Sequence, residues 1–187
     1  SNLPINRVSL GVQTFNEEQL KFIRRRHDKN AIFYAVERLR QAGIGNISID
    51  LMYGFPGETI DDWEDDISNA LSLNVKHISA YSLMYEEGTP LHHLLKQGII
   101  KETDEDTSYN MYNILTDRLI EAGYEHYEIS NFAINGFHSR HNSSYWEGIP
   151  YIGIGASAHS YDIHTRQWNV SDVETYINSI ENGCIPM

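Results

Sequence analysis

The sequence predicts an α/β fold in which parallel strands alternate with helices. Along residues 7–83, short segments with strict apolar–polar alternation are separated by amphipathic segments of helical period. Strands that alternate with long helices form parallel βαβ units. Three such strands make a poor sheet on their own, so the pattern predicts part of an α/β barrel.

The elements of this pattern can be placed along the first half of the chain. Strands are predicted at 7–13, 47–53 and 77–83, and a first helix at 17–27. Asp28 is suited to cap a second helix that runs to about Ala42 and stops at Gly43. Thr59 and Asp62 form a capping box for a third helix. The acidic face of that third helix, which includes Glu58 and Asp66, is interpreted as a solvated face.

An acidic residue in the second strand is the first candidate functional group. Asp50 falls late in a strand that otherwise reads as buried, where an ionised carboxylate is costly without a partner. One interpretation is a structural Asp bonded to loop amides. The other is a ligand-binding Asp at the carboxyl end of a parallel strand, where α/β barrels and open sheets place their sites.

Two further polar groups are expected near the same end of the sheet. Gln13 ends the first strand, and its amide can bond a polar ligand or simply bridge neighbouring loops. Arg24, Arg25 and Arg26 are predicted in the last turn of the first helix. There they either complement the helix dipole or clamp a carboxylate.

The pattern changes after Leu83, and we therefore divide the chain into residues 1–85 and 86–187. The second part is predicted to contain a short helix at 91–98, a helix capped by Thr103 that runs to Ala122, a strand at 125–129, a loop at 131–150, a Gly-rich strand at 151–158, and a helix at 173–181 capped by Ser171.

Composition limits the class of protein. The chain has 187 residues, 41% of them hydrophobic, and no apolar run that approaches the ~20 residues of a membrane helix. With no leader pattern, the cytoplasm is the expected location. The net charge of −12 argues against general nucleic-acid binding. A single cysteine, Cys184, excludes an internal disulfide and any site built from several thiolates of this chain.

Several motifs occur together in a characteristic order and spacing. They are Gly11-Val-Gln-Thr-Phe15 with Arg25, Asp50-Leu-Met-Tyr-Gly-Phe-Pro56, Tyr81-Ser-Leu83, Tyr127-Glu-Ile-Ser-Asn131, His141-Asn-x-x-Tyr-Trp146 and Gly153-Ile-Gly-Ala-Ser-Ala158. This set resembles the radical S-adenosylmethionine (SAM) family of oxygen-independent coproporphyrinogen III oxidases and their haem-chaperone relatives. The resemblance extends from about Arg7 to Glu181. The His141 element looks more like the haem-chaperone branch.

The resemblance implies a fold and a set of cofactor-binding residues. Residues 1–85 would be the second half of a partial (β/α)6 barrel, and residues 86–187 the family's α+β C-terminal region. The positions that contact SAM in the family match Gln13, Arg25 and Asp50, with Met84 and His159 as two further cofactor-lining positions. Arg25 is preferred over its neighbours because its offset from Gln13 fits the family spacing. His159 departs from the family pattern, since this position is apolar in the oxidases.

The resemblance also implies a [4Fe–4S] cluster held by a Cys-x3-Cys-x2-Cys loop, and this sequence lacks that loop. We therefore expect an excised piece of a longer parent that would carry the cluster. Without a cluster no electron reaches SAM, so the chain itself is expected to have no catalytic residue and to be inert.

The histidine-rich loop allows three interpretations. His138 and His141, close to Tyr145 and Trp146, could hold a metal, bond to backbone, or present an imidazole and aromatic surface to a flat porphyrin or haem. His141 and Trp146 are the haem candidates, and no metal site is assigned.

Three functions follow from these observations. The first is a haem chaperone that binds haem and passes it to an acceptor protein. The second is the oxidase, which decarboxylates two propionates of coproporphyrinogen III. The third is an unrelated metabolic α/β-barrel enzyme that uses Asp50 as acid or base.

Overall fold

The computed structural model describes residues 5–187, which form two compact units. The first unit ends at His138 and contains β1 (Arg7–Gln13), α1 (Glu17–Phe22), α2 (Lys29–Gln41), β2 (Asn46–Tyr53), α3 (Ile60–Ser72), β3 (His77–Ser82), α4 (Pro90–Lys96), α5 (Glu105–Glu121), β4 (Glu125–Glu128) and β5 (Asn131–Ala133). The second unit, Ser139–Met187, contains α6 (Arg140–Trp146), β6 (His159–Tyr161), β7 (Arg166–Trp168) and α7 (Val173–Glu181).

The first unit is built on a mixed sheet of strand order β1-β2-β3-β5-β4. The strands β1, β2 and β3 are parallel, and β5 and β4 continue the sheet in antiparallel pairing. In the register, Asp50 lies level with Gly11 on one side and Ser79 on the other. The predicted α/β class with three parallel strands is confirmed.

The hydrophobic core lies between this sheet and the helices. Ile49 and Leu51 of β2 are fully buried, as is Trp63 of α3, whose indole Nε1–H donates to the Met111 carbonyl at 2.9 Å. Helices α3 and α5 contact each other, and their buried residues, among them Trp63 and Leu115, belong to one core. The helices are amphipathic because burying one apolar face is what stabilises a helix of this length.

Local capping signals place several helices as predicted. The Asp28 carboxylate accepts from Ala31 N at 2.8 Å, and Gly43 ends α2 with a positive φ of 82°. Thr59 and Asp62 form the full capping box of α3. A cap satisfies backbone donors that the first helical turn leaves free, so these positions can be identified from sequence.

Two predicted helix boundaries are wrong, the end of α1 and the start of α5. The first helix ends at Phe22, because Arg24 adopts a left-handed φ of 58° and Arg25 N donates back to the Leu20 carbonyl at 2.8 Å. This is the stop that glycine usually provides. The three arginines therefore follow the helix rather than form its last turn. In α5, Asp104 is the cap, and the Thr103 hydroxyl donates to the Phe55 carbonyl at 3.3 Å.

Three predictions in the last third of the chain are also wrong. Residues 131–150 contain β5, which pairs with the buried strand β3, and α6, so they are not a loop. Residues 151–158 do not form a strand, because Gly155 and Ser157 have positive φ angles and only the bridge Tyr151–Tyr161 is made. The last helix is capped by Asp172 instead of Ser171.

The pattern change after Leu83 falls inside the first unit, because β4 and β5 extend the same sheet. The assignment of residues 1–85 to a barrel half and 86–187 to a family-specific region stays a prediction. Among residues 5–187, no helix has both the length and the apolar character required to cross a bilayer.

Candidate ligand-binding cleft

A cleft of about 480 Å³ lies at the carboxyl ends of the parallel strands. It is lined by Gln13, Asp50, Met52, Tyr81, Ser82, Met84, Glu86 and Thr89. The structure thus brings together three of the residues predicted to contact a cofactor, namely Gln13, Asp50 and Met84. They come from the end of β1, from β2 and from the segment after β3, which meet because parallel strands end at the same edge of the sheet.

Gln13 has an unusual backbone conformation. Its φ is +70°, and Thr14 N donates to the Val12 carbonyl at 2.9 Å, which closes a γ-turn around Gln13. The β1–β2 register shifts at this point, between Gly11 and Gln13. A non-glycine residue in this region costs about 1–3 kcal/mol and persists where the surrounding structure over-determines it.

Gly11 makes room for the Gln13 amide. A Cβ atom added at Gly11 would lie 2.8 Å from Gln13 Nε2, closer than such atoms approach. The side chain of Gln13 is 8% exposed, so the amide is folded back over Gly11 rather than extended into solvent. Any larger residue at position 11 would displace it.

Asp50 bonds to a neighbouring strand. Its two carboxylate oxygens lie 3.2 and 3.1 Å from the Ser9 hydroxyl of β1, which donates to them. The partner is a hydroxyl and not the loop amides of the structural interpretation. Since one hydroxyl carries one proton and a carboxylate offers about four acceptor positions, Asp50 retains capacity for a ligand.

Arg25 does not line this cleft. Its side chain is exposed, directly after the end of α1. The nearby His27 contacts the strand that carries Gln13, because its Nε2–H donates to the Val12 carbonyl at 3.2 Å. The use of Arg25 as a carboxylate clamp stays a prediction.

Sequence reasoning missed several residues of the cleft. Tyr81 and Ser82 end β3, and Glu86 and Thr89 belong to the turn before α4. Alternation along β3 could have indicated Tyr81, which is level with Met52. Turn residues follow no periodic pattern, so Glu86 and Thr89 could not be assigned from spacing.

The remaining predicted residues lie in the second unit. His141 and Trp146 are both on α6, and His141 Nε2 lies 3.1 Å from the Tyr145 hydroxyl. Trp146 is exposed. His159 is in β6, with its ring centroid 6.0 Å from that of Trp168. Their roles as cofactor or haem contacts stay predictions.

His138 belongs to the first unit and is engaged there. Its Nε2 lies 2.7 Å from Glu125 Oε2, and its ring stacks on Tyr127 at 4.2 Å. Within residues 5–187, no group of three or more His, Cys, Asp or Glu side chains is arranged to hold a metal ion.

A buried imidazole lies below the cleft on the same sheet. His77 Nδ1 lies 2.8 Å from the Ser48 hydroxyl and Nε2 2.7 Å from the Tyr127 hydroxyl. Burial lowers the pKa of His77 to about 3, and the positive charges of Arg7 and His138 act in the same direction. His77 is therefore neutral at physiological pH and uses both ring nitrogens structurally.

Comparison with known proteins shows what this chain is similar to. Residues 1–70 match the model of the radical SAM superfamily. The chain is 41% identical over 175 residues to the heme chaperone HemW of Lactococcus lactis, covering 94% of this chain and 46% of that protein. It is 41% identical over 182 residues to the heme chaperone HemW of Bacillus subtilis, covering 97% and 48%. The chain spans about half the length of the curated relatives it matches.

A solved structure shows the same fold. The coproporphyrinogen III oxidase HemN of Escherichia coli, a radical SAM enzyme, superposes with a TM-score of 0.77 and 21% identity, over 98% of this chain and 45% of that one. At this identity the likeness concerns the fold alone. Together these findings confirm the resemblance seen in the motifs: residues 1–70 match the radical SAM superfamily model, the chain is similar in sequence to proteins named haem chaperones, and its fold is similar to that of the oxidase.

Proposed function

We propose that this chain forms the SAM-contacting part of a radical SAM haem chaperone. The observation that carries the proposal is the shared cleft of Gln13, Asp50 and Met84 at the carboxyl ends of three parallel strands. The relatives named haem chaperones give the proposal its biological context, with haem as cargo and an acceptor protein as partner. A cytoplasmic location is part of the same proposal.

The residues present fit SAM. The spare acceptor capacity of Asp50 suits an amine or ribose hydroxyls, and the Gln13 amide can both donate and accept. Gly11 leaves the space that the Gln13 amide occupies beside them. Arg25 is the proposed partner of the SAM carboxylate, for which a guanidinium has the right geometry. When bound, SAM would supply the adenosyl group of the family's radical chemistry.

The residues present do not fit an iron–sulfur cluster. The one cysteine of the sequence, Cys184, is exposed and cannot supply three thiolates. The proposal for this chain therefore concerns binding. A [4Fe–4S] cluster is proposed for the full-length parent.

Titration with SAM tests the first part of the proposal. Isothermal calorimetry on the 187-residue chain should show binding, and Asp50→Ala should weaken it about tenfold or more, since a hydrogen bond to a charged group contributes roughly 1.5–3 kcal/mol. Asp65→Ala, an exposed acid on α3, is the matched control and should bind like the wild type. Equal binding by the Asp50 and Asp65 variants would remove SAM from this cleft.

Haem binding is proposed for α6 of the second unit. His141 offers an imidazole and Trp146 an exposed flat surface on the same helix. Titration of hemin should shift the Soret band, and His141→Ala should reduce that shift. His93→Ala, an exposed histidine on α4, is the control. A shift that is equal in both variants would remove His141 from the proposal.

The motifs that resemble the oxidases leave a second candidate function. In this candidate the full-length parent is an oxidase that decarboxylates the propionates of a porphyrinogen. Turnover of coproporphyrinogen III by the full-length protein would support it, whereas haem binding without turnover would support the chaperone.

A further inference from the structure

Two acids, Glu58 just before α3 and Asp66 within it, are buried, although the sequence places them on a face interpreted as solvated. Glu58 is 9% exposed and Asp66 is 2% exposed, so that interpretation is wrong for these two residues. Glu58 immediately precedes the Thr59 cap, and Asp66 lies one turn after Asp62. Among residues 5–187, neither Glu58 Oε1 nor Asp66 Oδ2 meets a hydrogen-bond partner. Buried carboxyls are costly, so their positions call for a role.

Glu58 holds the turn that follows β2. Its Oε2 accepts from Gly54 N at 2.6 Å and from Phe55 N at 3.0 Å. Gly54 has a φ of +82°, and β2 carries Asp50 four residues earlier. Glu58 thus fixes the chain directly after the strand that brings Asp50 to the cleft.

Asp66 holds the segment that follows β1. Its Oδ1 accepts from Phe15 N at 2.8 Å in a buried hydrogen bond. The neighbouring donors are satisfied locally, since Thr14 N bonds to Val12 O and Asn16 N bonds to the Thr14 hydroxyl. Among the backbone donors of residues 14–16, Phe15 N is therefore the one that bonds to a side chain of α3.

The strained residue lies two positions before this contact. Gln13 needs surrounding contacts to stay at a positive φ, and its turn is bounded by β1 on one side and by the Phe15–Asp66 bond on the other. Without that bond, Thr14 and Phe15 lose the hydrogen bond that ties the backbone at the end of the turn to α3. Relaxation of Gln13 to ordinary extended geometry would then turn its amide away from Gly11.

We propose that Asp66 is a positioning residue for the cleft: by accepting from Phe15 N it keeps Gln13 left-handed, with its amide over Gly11 and within the cleft that Asp50 lines. The identity of the ligand rests on the proposed function, whereas the conformational claim does not. The role belongs to the acceptor oxygen, so an uncharged isostere retains it.

Nuclear magnetic resonance tests the conformational claim directly on the 187-residue chain. A positive φ brings HN and Hα of one residue close together and gives a strong intraresidue cross-peak. Wild type and Asp66→Asn should show this cross-peak at Gln13, because Asn keeps an acceptor Oδ1. Asp66→Ala should lose it and should exchange the Phe15 amide faster. Asp65→Ala on the same helix should match the wild type. Persistence of the cross-peak in Asp66→Ala overturns the proposal.

The binding consequence is measured with S-adenosylhomocysteine as the probe. Asp66→Ala should weaken binding about tenfold or more, and Asp66→Asn by less than about threefold. Gln13→Ala should weaken binding in the wild type but add nothing in the Asp66→Ala background, since the amide is already misplaced there. Additive losses in this double-mutant cycle would overturn the link between the two residues.

The experiments distinguish failure of the proposed function from failure of the role of Asp66. If the wild type binds no probe, the proposed function fails, while the cross-peak still decides the role of Asp66. If Asp66→Ala does not give a dispersed spectrum, Asp66→Ser takes its place, because it retains a polar group but withdraws the acceptor from Phe15 N.

Discussion

Each of the two units of this chain is stabilised internally by a different kind of interaction. In the first unit, large side chains such as Trp63, Ile67 and Leu119 are fully buried in one core. In the second unit, residues 139–187, all of which the structure describes, contain one buried residue, Pro186. Its order comes from hydrogen bonds such as Asn169 Nδ2 to Gly155 O at 2.7 Å, and from ring contacts such as Tyr145 with Tyr151 at 4.9 Å.

This difference in burial indicates which interactions stabilise each unit. Hydrophobic burial supplies roughly 25 cal/mol per Å² of apolar surface, whereas a single hydrogen bond adds about 1 kcal/mol net. In the second unit, Ile152 and Ile154 are 86% and 87% exposed, so their apolar surface contributes nothing of this kind. Substitutions should therefore be costly in the first unit and mild in the second.

The largest expected effect comes from a cavity in the first core. Leu115→Ala should lower the free energy of unfolding by about 2–5 kcal/mol, because Leu115 is 1% exposed and its removal leaves a void. Ile177→Ala on α7, which is 48% exposed, should cost less than about 1 kcal/mol. Urea unfolding followed by circular dichroism measures both, and similar costs would contradict the difference between the units.

A buried imidazole should give the first unit an acid sensitivity. The pKa of His77 is lowered from 6.5 to about 3, so the unfolded chain binds a proton that the folded chain does not. Stability is fully present above pH 6.5 and is lost as the pH falls towards 3. Between pH 7 and 4 the wild type should lose about 3 kcal/mol relative to His77→Gln. Parallel pH profiles of the two proteins would show that His77 is not buried as a neutral group.

A buried carboxyl should act in the opposite direction. Burial raises the pKa of Glu58 from 4.5 to about 7, against the lowering by the Phe55 and Gly54 amides, and the charge of Asp66 raises it further. The folded chain then holds a proton that the unfolded chain releases, so stability falls as the pH rises from about 4.5 to 7.

Glu58→Gln isolates this effect. Because Gln does not titrate, this variant should not show the loss of about 2 kcal/mol in the free energy of unfolding that the wild type shows across that pH range. The difference between the two proteins in thermal or urea unfolding measures this loss. Burial likewise raises the pKa of Asp66, to about 6, so Asp66→Asn should change the profile in the same direction. A wild type that gains stability over this range relative to Glu58→Gln would reverse the assignment.

The smallest effect is expected from an exposed aromatic residue of the second unit. Trp146→Ala should change the free energy of unfolding by about 0.5 kcal/mol or less, because its side chain is 64% exposed. The same unfolding assay applies. A cost comparable to that of Leu115→Ala would mean that α6 is part of a packed core and would end the distinction between the units.

Much of the first unit could be predicted because its signals are local. Alternation identifies β1, β2 and β3, and the caps at Asp28 and Thr59 are formed by residues within three positions of their donors. The meeting of Gln13 and Asp50 could also be predicted, since parallel neighbouring strands end at one edge. These inferences need only the order of elements and the residue types at their ends.

Other features depend on contacts between residues far apart in sequence. Strand β5 is short and forms by pairing with β3, about 50 positions earlier, so its own sequence resembled a loop. Arg24 ends α1 in a conformation that residue type disfavours. Periodicity cannot reveal either feature.

The sequence alone determined the α/β class, the parallel strands, the helix caps at Asp28 and Thr59, and two of the residues that line the cleft at its strand ends, Gln13 and Asp50. The tertiary structure decided which acids are buried, because Glu58 and Asp66 look like their solvated neighbours until the turns after β1 and β2 present amides to them. It also decided the left-handed turn at Gln13. The physical reason is that a backbone donor must be satisfied wherever packing excludes water, and packing is known only once distant segments have met.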